Sequence, residues 1–205
     1  MRPFIATLLA FAVSPLLSSP AAAALVTYNP YYGSTTYRPA AVVWGDSLTR
    51  AAYGTYRLAG FRGEINGRSG RSVEALLTLV RERVRATSFP AKTVVIALGS
   101  NGGAGTFERW EYIAADRWMK AHGATKIVFV TPYRDGTWWD TAKVAQRAGW
   151  MRQIAAARTG TCVADWAAEA AAHPEYLTDG LHYNATPGKQ EYVKLIMARV
   201  NGSCD

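Results

Sequence analysis

Three residues that can together perform nucleophilic catalysis occur in this sequence in the order serine, aspartate, histidine. Ser47 lies in a Gly-Asp-Ser-Leu segment, and Asp179 and His182 lie in an Asp-Gly-Leu-His segment near the C-terminus. A histidine can remove the proton of a serine hydroxyl while a carboxylate fixes the tautomer of the imidazole. These residues therefore predict a catalytic triad. Taken singly, Ser47 or Asp46 could instead cap a helix, and His182 could be a surface residue.

An asparagine that could stabilise an anion lies in the segment Leu-Gly-Ser-Asn-Gly at residues 98–102. Glycines let the backbone approach a ligand closely, and the amide of Asn101 is a good donor to an oxyanion. The alternative is an ordinary turn, because Asn-Gly is a common turn sequence.

Short apolar runs alternate with segments of helical periodicity along the chain. Five runs have the composition of buried strands: 40–44, 61–65, 93–98, 126–131 and 161–165. Four segments have the spacing of helices: 72–86, 107–122, 141–158 and 186–199. This alternation predicts a five-stranded parallel sheet covered by helices on both faces. Ligands bind such sheets at the carboxyl ends of the strands, where the serine and asparagine segments lie.

The first 24 residues have the parts of a secretory signal. Arg2 supplies the charge, residues 4–17 are apolar, and Ala22-Ala23-Ala24 forms a cleavage site. We expect residues 25–205 to form one domain that is secreted or held in the periplasm or cell envelope. The alternative is a membrane anchor, but Pro15 and the serines after it shorten the apolar run.

Cys162 and Cys204 are the two cysteines. An even count in an exported chain predicts a disulfide between them, with two unrelated buried thiols as the alternative. No Cys-x-x-Cys pair occurs, and the three histidines lack the spacing of metal ligands. We therefore expect no metal site. Nucleophilic catalysis by a serine triad needs no cofactor, so none is expected.

The formal net charge is +8 at pH 7. The basic residues are spread along helical segments instead of forming a tract, so nucleic acid is not an expected partner. An anionic polymer or membrane surface of the cell envelope is the more natural counterpart outside the cytoplasm. Alternatively, the charge serves only solubility.

Four ordered segments together resemble the SGNH hydrolase family, also called the GDSL family. They are Gly-Asp-Ser-Leu after the first strand, a glycine after the second, Gly-Ser-Asn after the third and Asp-Gly-Leu-His before the last helix. The resemblance extends from about residue 42 to residue 197 and implies a three-layer α/β/α, flavodoxin-like fold. Together with Val-Ala-Asp-Trp at 163–166, the third segment is most similar to extracytoplasmic SGNH domains of bacterial peptidoglycan and polysaccharide O-acetyltransferases.

Transferred residue by residue, the resemblance implies that Ser47 is the nucleophile, His182 the base and Asp179 the residue that orients the base. The Ser47 N–H, the Gly70 N–H and the Asn101 side chain are expected to form the oxyanion hole, and Gly67 is the alternative to Gly70.

Two further residues are read from the same resemblance. Asp46 is expected to hydrogen-bond within its turn. Gly102 stands where the family usually has an aspartate, so a local contact is expected to be missing.

We expect a secreted serine ester hydrolase that forms an acyl-enzyme and acts on small esters or on O-acyl groups of cell-envelope carbohydrate. The enzyme alternatives are a lipase and an O-acyltransferase that takes its acyl group from a membrane acyl-donor protein; hydrolysis is slightly favoured because this sequence carries no such donor domain. The alternative outside enzymes is a protein that binds carbohydrate or anionic envelope polymer. The chain is expected to be a monomer.

The candidates for substrate contact near strand-end loops are Arg50, Tyr133, Arg134, Trp138, Trp139 and Tyr183.

Overall fold

The computed structural model describes residues 41–86, 91–102, 108–136 and 140–204. The predicted signal segment lies outside these residues, as do the candidate substrate residues Trp138 and Trp139. Among the described segments, no helix combines the length and apolar content needed to span a bilayer.

A five-stranded parallel sheet forms the centre of the protein. Its strands are β1 (Ala41–Gly45), β2 (Glu64–Gly67), β3 (Thr93–Ala97), β4 (Lys126–Val130) and β5 (Thr161–Ala164). The strand order is β2-β1-β3-β4-β5, the doubly wound order of flavodoxin-like folds. The predicted fold class is therefore confirmed.

One predicted strand, 61–65, is wrong in its bounds. The sheet pairing of β2 begins only where Glu64 lies opposite Val42 and continues to Gly67. Phe61 lies in the loop before β2, outside the sheet. It is buried because its ring packs against the ring of Tyr56. The apolar run 61–65 therefore contains a buried loop residue and only the first part of a strand that ends at Gly67.

Seven α-helices occur in the described segments. They are α1 (Ser47–Ala51), α2 (Tyr53–Leu58), α3 (Leu76–Ala86), α4 (Glu108–Ala121), α5 (Thr141–Ala156), α6 (Trp166–Ala172) and α7 (Gly188–Asn201). The predicted helix 72–86 begins with a 3₁₀ turn at Val73–Ala75. Hydrophobic periodicity does not predict α1, α2 and α6, because helices of five to seven residues are too short to display a period.

The sheet is buried on both faces. Val43, Val95 and Val128 pack in one core cluster with side chains of α1, α2, α6 and α7. Their strand neighbours Val42 and Val94 point to the opposite face, where α3, α4 and α5 pack. Because successive side chains of a strand alternate between faces, burial of both faces requires continuous apolar runs.

Cys162 of β5 and Cys204, beyond the end of α7, form the predicted disulfide. It closes a loop with a sequence separation of 42 residues that contains Asp179 and His182. The bond therefore ties the end of the last helix to the edge strand of the sheet.

We expect the paired variant Cys162→Ala/Cys204→Ala to unfold at a lower denaturant concentration than the oxidised wild type. Closing a loop of this length contributes roughly 4 kcal/mol in the chain-entropy model. Denaturant unfolding of both proteins measures the difference, with wild type kept in reductant as the matched control. Two free thiols in unreduced protein secreted to the medium, detected by mass spectrometry, would contradict the pairing.

Candidate active site

Ser47 is the first residue of α1, at the carboxyl edge of the sheet. β1 ends at Gly45, and the side chain of Asp46 caps the helix by accepting a 3.0 Å hydrogen bond from the Leu48 N–H. A Cβ at Gly45 would lie 1.9 Å from Thr49 Oγ1, so only glycine lets the helix pack this closely on the strand end. The expected local role of Asp46 therefore corresponds to its observed contact.

Asp179 and His182 lie in a tight turn before α7. One carboxylate oxygen of Asp179, Oδ1, accepts from the N–H groups of Leu181 and His182 at 3.1 and 2.7 Å. Gly180 has a φ of 75°, and a Cβ there would lie 2.0 Å from the Asp135 carboxylate. The turn thus requires glycine for its backbone conformation and for its contact with the loop after β4.

The structure brings Ser47, His182 and Asp179 together. Ser47 Oγ lies 3.0 Å from His182 Nε2, and His182 Nδ1 lies 2.8 Å from Asp179 Oδ2. Partial burial raises the pKa of Asp179, but hydrogen bonds from the side chain and N–H of His182 outweigh it and lower the pKa overall. The ionised carboxylate accepts from Nδ1–H, which leaves Nε2 free to accept the serine proton. This arrangement can activate Ser47 as a nucleophile.

Tyr183 was expected to contact substrate, and the structure contradicts that expectation. The residue is buried, its ring packs edge-on against Trp166, and its hydroxyl donates a hydrogen bond to the Leu48 carbonyl. Because Tyr183 follows His182 directly, this bond anchors the turn that carries the base to the helix that carries Ser47.

Two of the three predicted oxyanion donors come from neighbouring loops. Asn101 follows β3, and its Nδ2 lies 3.4 Å from both Asp46 Oδ2 and the Arg71 carbonyl. Gly70 lies in a turn closed by a hydrogen bond from the Arg71 N–H to the Arg68 carbonyl. Its φ of 71° at the third position of this turn favours glycine.

Gly67, the alternative to Gly70, has a different environment. It is the last residue of β2 and pairs with Gly45 in the sheet. A Cβ at Gly67 would lie 2.4 Å from the Arg50 backbone nitrogen, so this glycine is needed for packing against α1. By contrast, the Gly70 N–H has no backbone acceptor in the part of the chain that the structure describes.

Asp46 is a buried carboxyl group beside the site. Burial raises its pKa from 3.8 to about 6, although hydrogen bonds from Leu48 and Ser100 and the charge of His182 oppose the shift. At neutral pH the group is mostly ionised.

Arg71 is a site residue that the sequence reading missed. Its guanidinium is buried and donates to the carbonyl groups of Gly45 and Asn66 at 3.0 and 2.6 Å, and to the Asn66 side-chain oxygen at 2.8 Å. Burial lowers its pKa. Arg71 thereby joins the ends of β1 and β2 below the predicted oxyanion hole. No periodic signal marks it, because it lies in a loop.

The missing contact that was expected at Gly102 is not found in the structure. The space that an aspartate side chain would need is filled by the guanidinium of Arg147, which forms an ion pair with Glu108. A signal for this buried arginine was present, because Val144, Ala148 and Met151 place position 147 on the buried stripe of α5.

The remaining predicted substrate residues differ in their accessibility. Arg50 is exposed, and its Nη1 donates to Ser69 Oγ at 3.2 Å beside the Gly70 turn. Tyr133 is half-buried against the core. Arg134 forms a 2.7 Å ion pair with Asp140, and both side chains are at most 8% exposed. A contact between Arg134 and substrate stays a prediction.

Within residues 41–86, 91–102, 108–136 and 140–204, no three His, Cys, Asp or Glu residues are arranged to hold a metal ion.

Comparison with known proteins places the chain among SGNH hydrolase folds. The catalytic domain of the Streptococcus pneumoniae peptidoglycan O-acetyltransferase OatA is 25% identical, with a TM-score of 0.64, over 78% of this chain and 92% of that domain. A G-D-S-L family protein of Veillonella parvula is 17% identical, with a TM-score of 0.62, over 78% of this chain and 97% of that chain. No protein-family model matches.

A curated relative agrees with these structures. The Bacillus subtilis protein YrhL, named for peptidoglycan O-acetyltransferase activity, is 32% identical over 119 residues. The match covers 58% of this chain but only 17% of YrhL. These findings confirm the resemblance to SGNH proteins and support an enzyme of the esterase or O-acyltransferase class.

We expect the raised pKa of Asp46 to make stability depend on pH. The folded state binds the proton more tightly than the unfolded state, so this stabilisation is present below pH 4 and is lost as the pH rises through about 6. The loss amounts to about 3 kcal/mol, at about 1.4 kcal/mol per pKa unit. Denaturant unfolding at pH 4 and pH 7 should show it as a difference between wild type and Asp46→Asn.

The matched control is Glu82→Gln, which removes an exposed carboxylate of α3 and should preserve the pH dependence of wild type. If wild type and Asp46→Asn changed equally between pH 4 and pH 7, the inferred shift in the Asp46 pKa would be wrong.

Proposed function

Because the chain has the SGNH hydrolase fold, we propose that it is a serine enzyme that cleaves O-acyl esters through an acyl-enzyme at Ser47. The observation that carries this proposal is the continuous chain of hydrogen-bonding distances from Ser47 through His182 to Asp179, at 3.0 and 2.8 Å. Each of the three residues has the chemical type and position that its role requires.

In the first half of the reaction, Ser47 Oγ forms a bond to the acyl carbon while its proton passes to His182 Nε2. The negative charge develops on the former carbonyl oxygen, and the adjacent Asp179 carboxylate stabilises the imidazolium. The intermediate then collapses: the bond to the alcohol oxygen breaks, and His182 returns the proton to that oxygen. The acyl group remains on Ser47.

The proposed oxyanion hole consists of the Ser47 N–H, the Gly70 N–H and the Asn101 amide. Gly70 is preferred to Gly67 because Gly70 lies in the turn beyond the end of β2 and its N–H lacks a backbone acceptor among the described residues, whereas Gly67 is packed against the backbone of α1. Donors fixed before the reaction stabilise the developing charge without reorganisation during it.

In the second half, a hydroxyl compound attacks the acyl-enzyme with His182 again acting as the base. With water, the products are a carboxylic acid and free Ser47, so the reaction is hydrolysis. The proposed substrates are O-acyl groups of cell-envelope carbohydrate, supported by the peptidoglycan O-acetyltransferases among the relatives. Arg50, exposed at the rim beside Ser69, is the candidate contact for an anionic part of that polymer.

Export by a signal at residues 1–24 and cleavage after Ala24 are part of the same proposal, because a cell-envelope substrate lies outside the cytoplasm.

Transfer of the acyl group to a glycan hydroxyl is the second candidate function. Two of the relatives that support it are named for peptidoglycan O-acetyltransferase activity. The two functions share the acyl-enzyme and differ in whether water or an acceptor hydroxyl reaches it first.

We expect Ser47→Ala and His182→Ala to lower kcat for p-nitrophenyl acetate at least about a thousandfold, because the nucleophile or its base is lost. Asp179→Asn should be similarly severe, since an amide favours the wrong imidazole tautomer. Steady-state kinetics of the purified chain measures the effect. The matched controls are Ser72→Ala, whose side chain makes no capping hydrogen bond, and the exposed His122→Ala.

Three outcomes would contradict the proposed roles. Turnover that persists in Ser47→Ala would show that Ser47 is not the nucleophile, whereas no turnover by the wild type would favour a protein whose function is binding. Near-normal turnover in Asp179→Asn would indicate a Ser-His dyad. Activity confined to long-chain esters would favour the lipase alternative.

We expect hydrolysis to exceed transfer when the enzyme meets an acetyl donor and an oligosaccharide acceptor together. Mass spectrometry would follow free acetate and acetylated sugar in the same reaction, with Ser47→Ala as the control for uncatalysed transfer. Predominant acetylation of the sugar with little free acetate would identify the chain as a transferase.

A further inference from the structure

The loop that carries Asn101 is held from below by a buried ion pair. Arg147 of α5 is fully buried, and Glu108 at the start of α4 is 4% exposed. Arg147 Nε and Nη2 donate to the two carboxylate oxygens of Glu108 at 2.8 and 2.7 Å. This bidentate geometry fixes the plane of the guanidinium.

The same guanidinium contacts the loop on both sides of Asn101. Its Nη1 donates to the Gly99 carbonyl at 3.0 Å. On the other side it packs against Gly102, where a Cβ would lie 2.3 Å from Nη2 and 2.9 Å from the Glu108 carboxylate. Arg147 therefore defines the position of the backbone two residues before and one residue after Asn101.

The hydrogen bonds of Asn101 itself are weak by comparison. Its Nδ2 lies 3.4 Å from both of its acceptors, near the limit of a hydrogen bond. The position of its amide consequently depends on the backbone that carries it.

We propose that the Glu108–Arg147 pair is a positioning device that holds Asn101 at the place where it donates to the oxyanion. This inference rests on the proposed ester chemistry at Ser47. An oxyanion donor must be held to about half an ångström, and a backbone fixed on both sides meets that requirement. A buried ion pair is by itself weak evidence for stability, because well-packed apolar residues can replace it without loss. The hydrogen bond to the Gly99 carbonyl and the close packing against Gly102 indicate that the pair positions the loop of Asn101.

The test replaces both partners, in Glu108→Leu/Arg147→Met, so that no unpaired charge is left buried. We expect kcat for p-nitrophenyl acetate to fall about tenfold to a hundredfold, with KM within about twofold of wild type, because the oxyanion forms only in the transition state. In Asn101→Ala, the same pair of substitutions should lower kcat less than about twofold, since the donor that the pair positions is already absent.

The matched control is Arg158→Met, which removes a 3.0 Å ion pair to Asp116 near the start of β5, at the opposite edge of the sheet. It should lower the melting temperature without changing kcat. If the Glu108/Arg147 variant does not fold, Glu108→Gln provides the same comparison, with a smaller fall in kcat that also disappears in Asn101→Ala.

Two results would overturn the inference: no fall in kcat, or an equal fall with and without Asn101, which is what general loosening of the fold would cause. Its failure is distinguishable from failure of the proposed function, because in the latter case Ser47→Ala and Asn101→Ala would themselves leave ester turnover unchanged.

Discussion

The in-register pairing of β1 with β2 on one side and β3 on the other is the interaction on which the site depends. Gly45 pairs with both Gly67 and Ala97, so the three strands end at the same level. Because all strands run parallel, the loops that follow them emerge at one edge. The absence of side chains at Gly45 and Gly67 then allows α1 to approach that edge within contact distance.

Groups buried beneath the site give its loops defined positions. Arg71 joins the ends of β1 and β2 through neutral oxygen acceptors, and Arg147, paired with Glu108, donates to the Gly99 carbonyl in the loop after β3. The guanidinium is suited to both tasks, since it is permanently charged and presents several donors in a rigid plane. Asp46 adds a carboxylate whose pKa of about 6 reflects the cost of burial in the same region.

The turn that carries His182 lies far from Ser47 along the chain and is connected to it by contacts from separate elements. The Tyr183 hydroxyl reaches the Leu48 carbonyl, and the Asp135 N–H donates to the Gly180 carbonyl at 2.9 Å. The disulfide between Cys162 and Cys204 encloses the whole segment. The side chains of Asp179 and His182 remain partly exposed to solvent.

The sequence by itself determined the order of the five strands and the four longest helices, because burial of both sheet faces imposes apolar runs and helix packing imposes a 3.6-residue period. It also identified Ser47, Asn101, Asp179 and His182 as candidates, since their residue types and glycine-containing segments are local signals. The burial of Tyr183 and the pairing of Arg134 with Asp140 were decided by the tertiary structure. So were the contacts of Arg71 and Arg147, because each joins residues distant in sequence, and a local pattern carries no information about which distant atoms a side chain will meet.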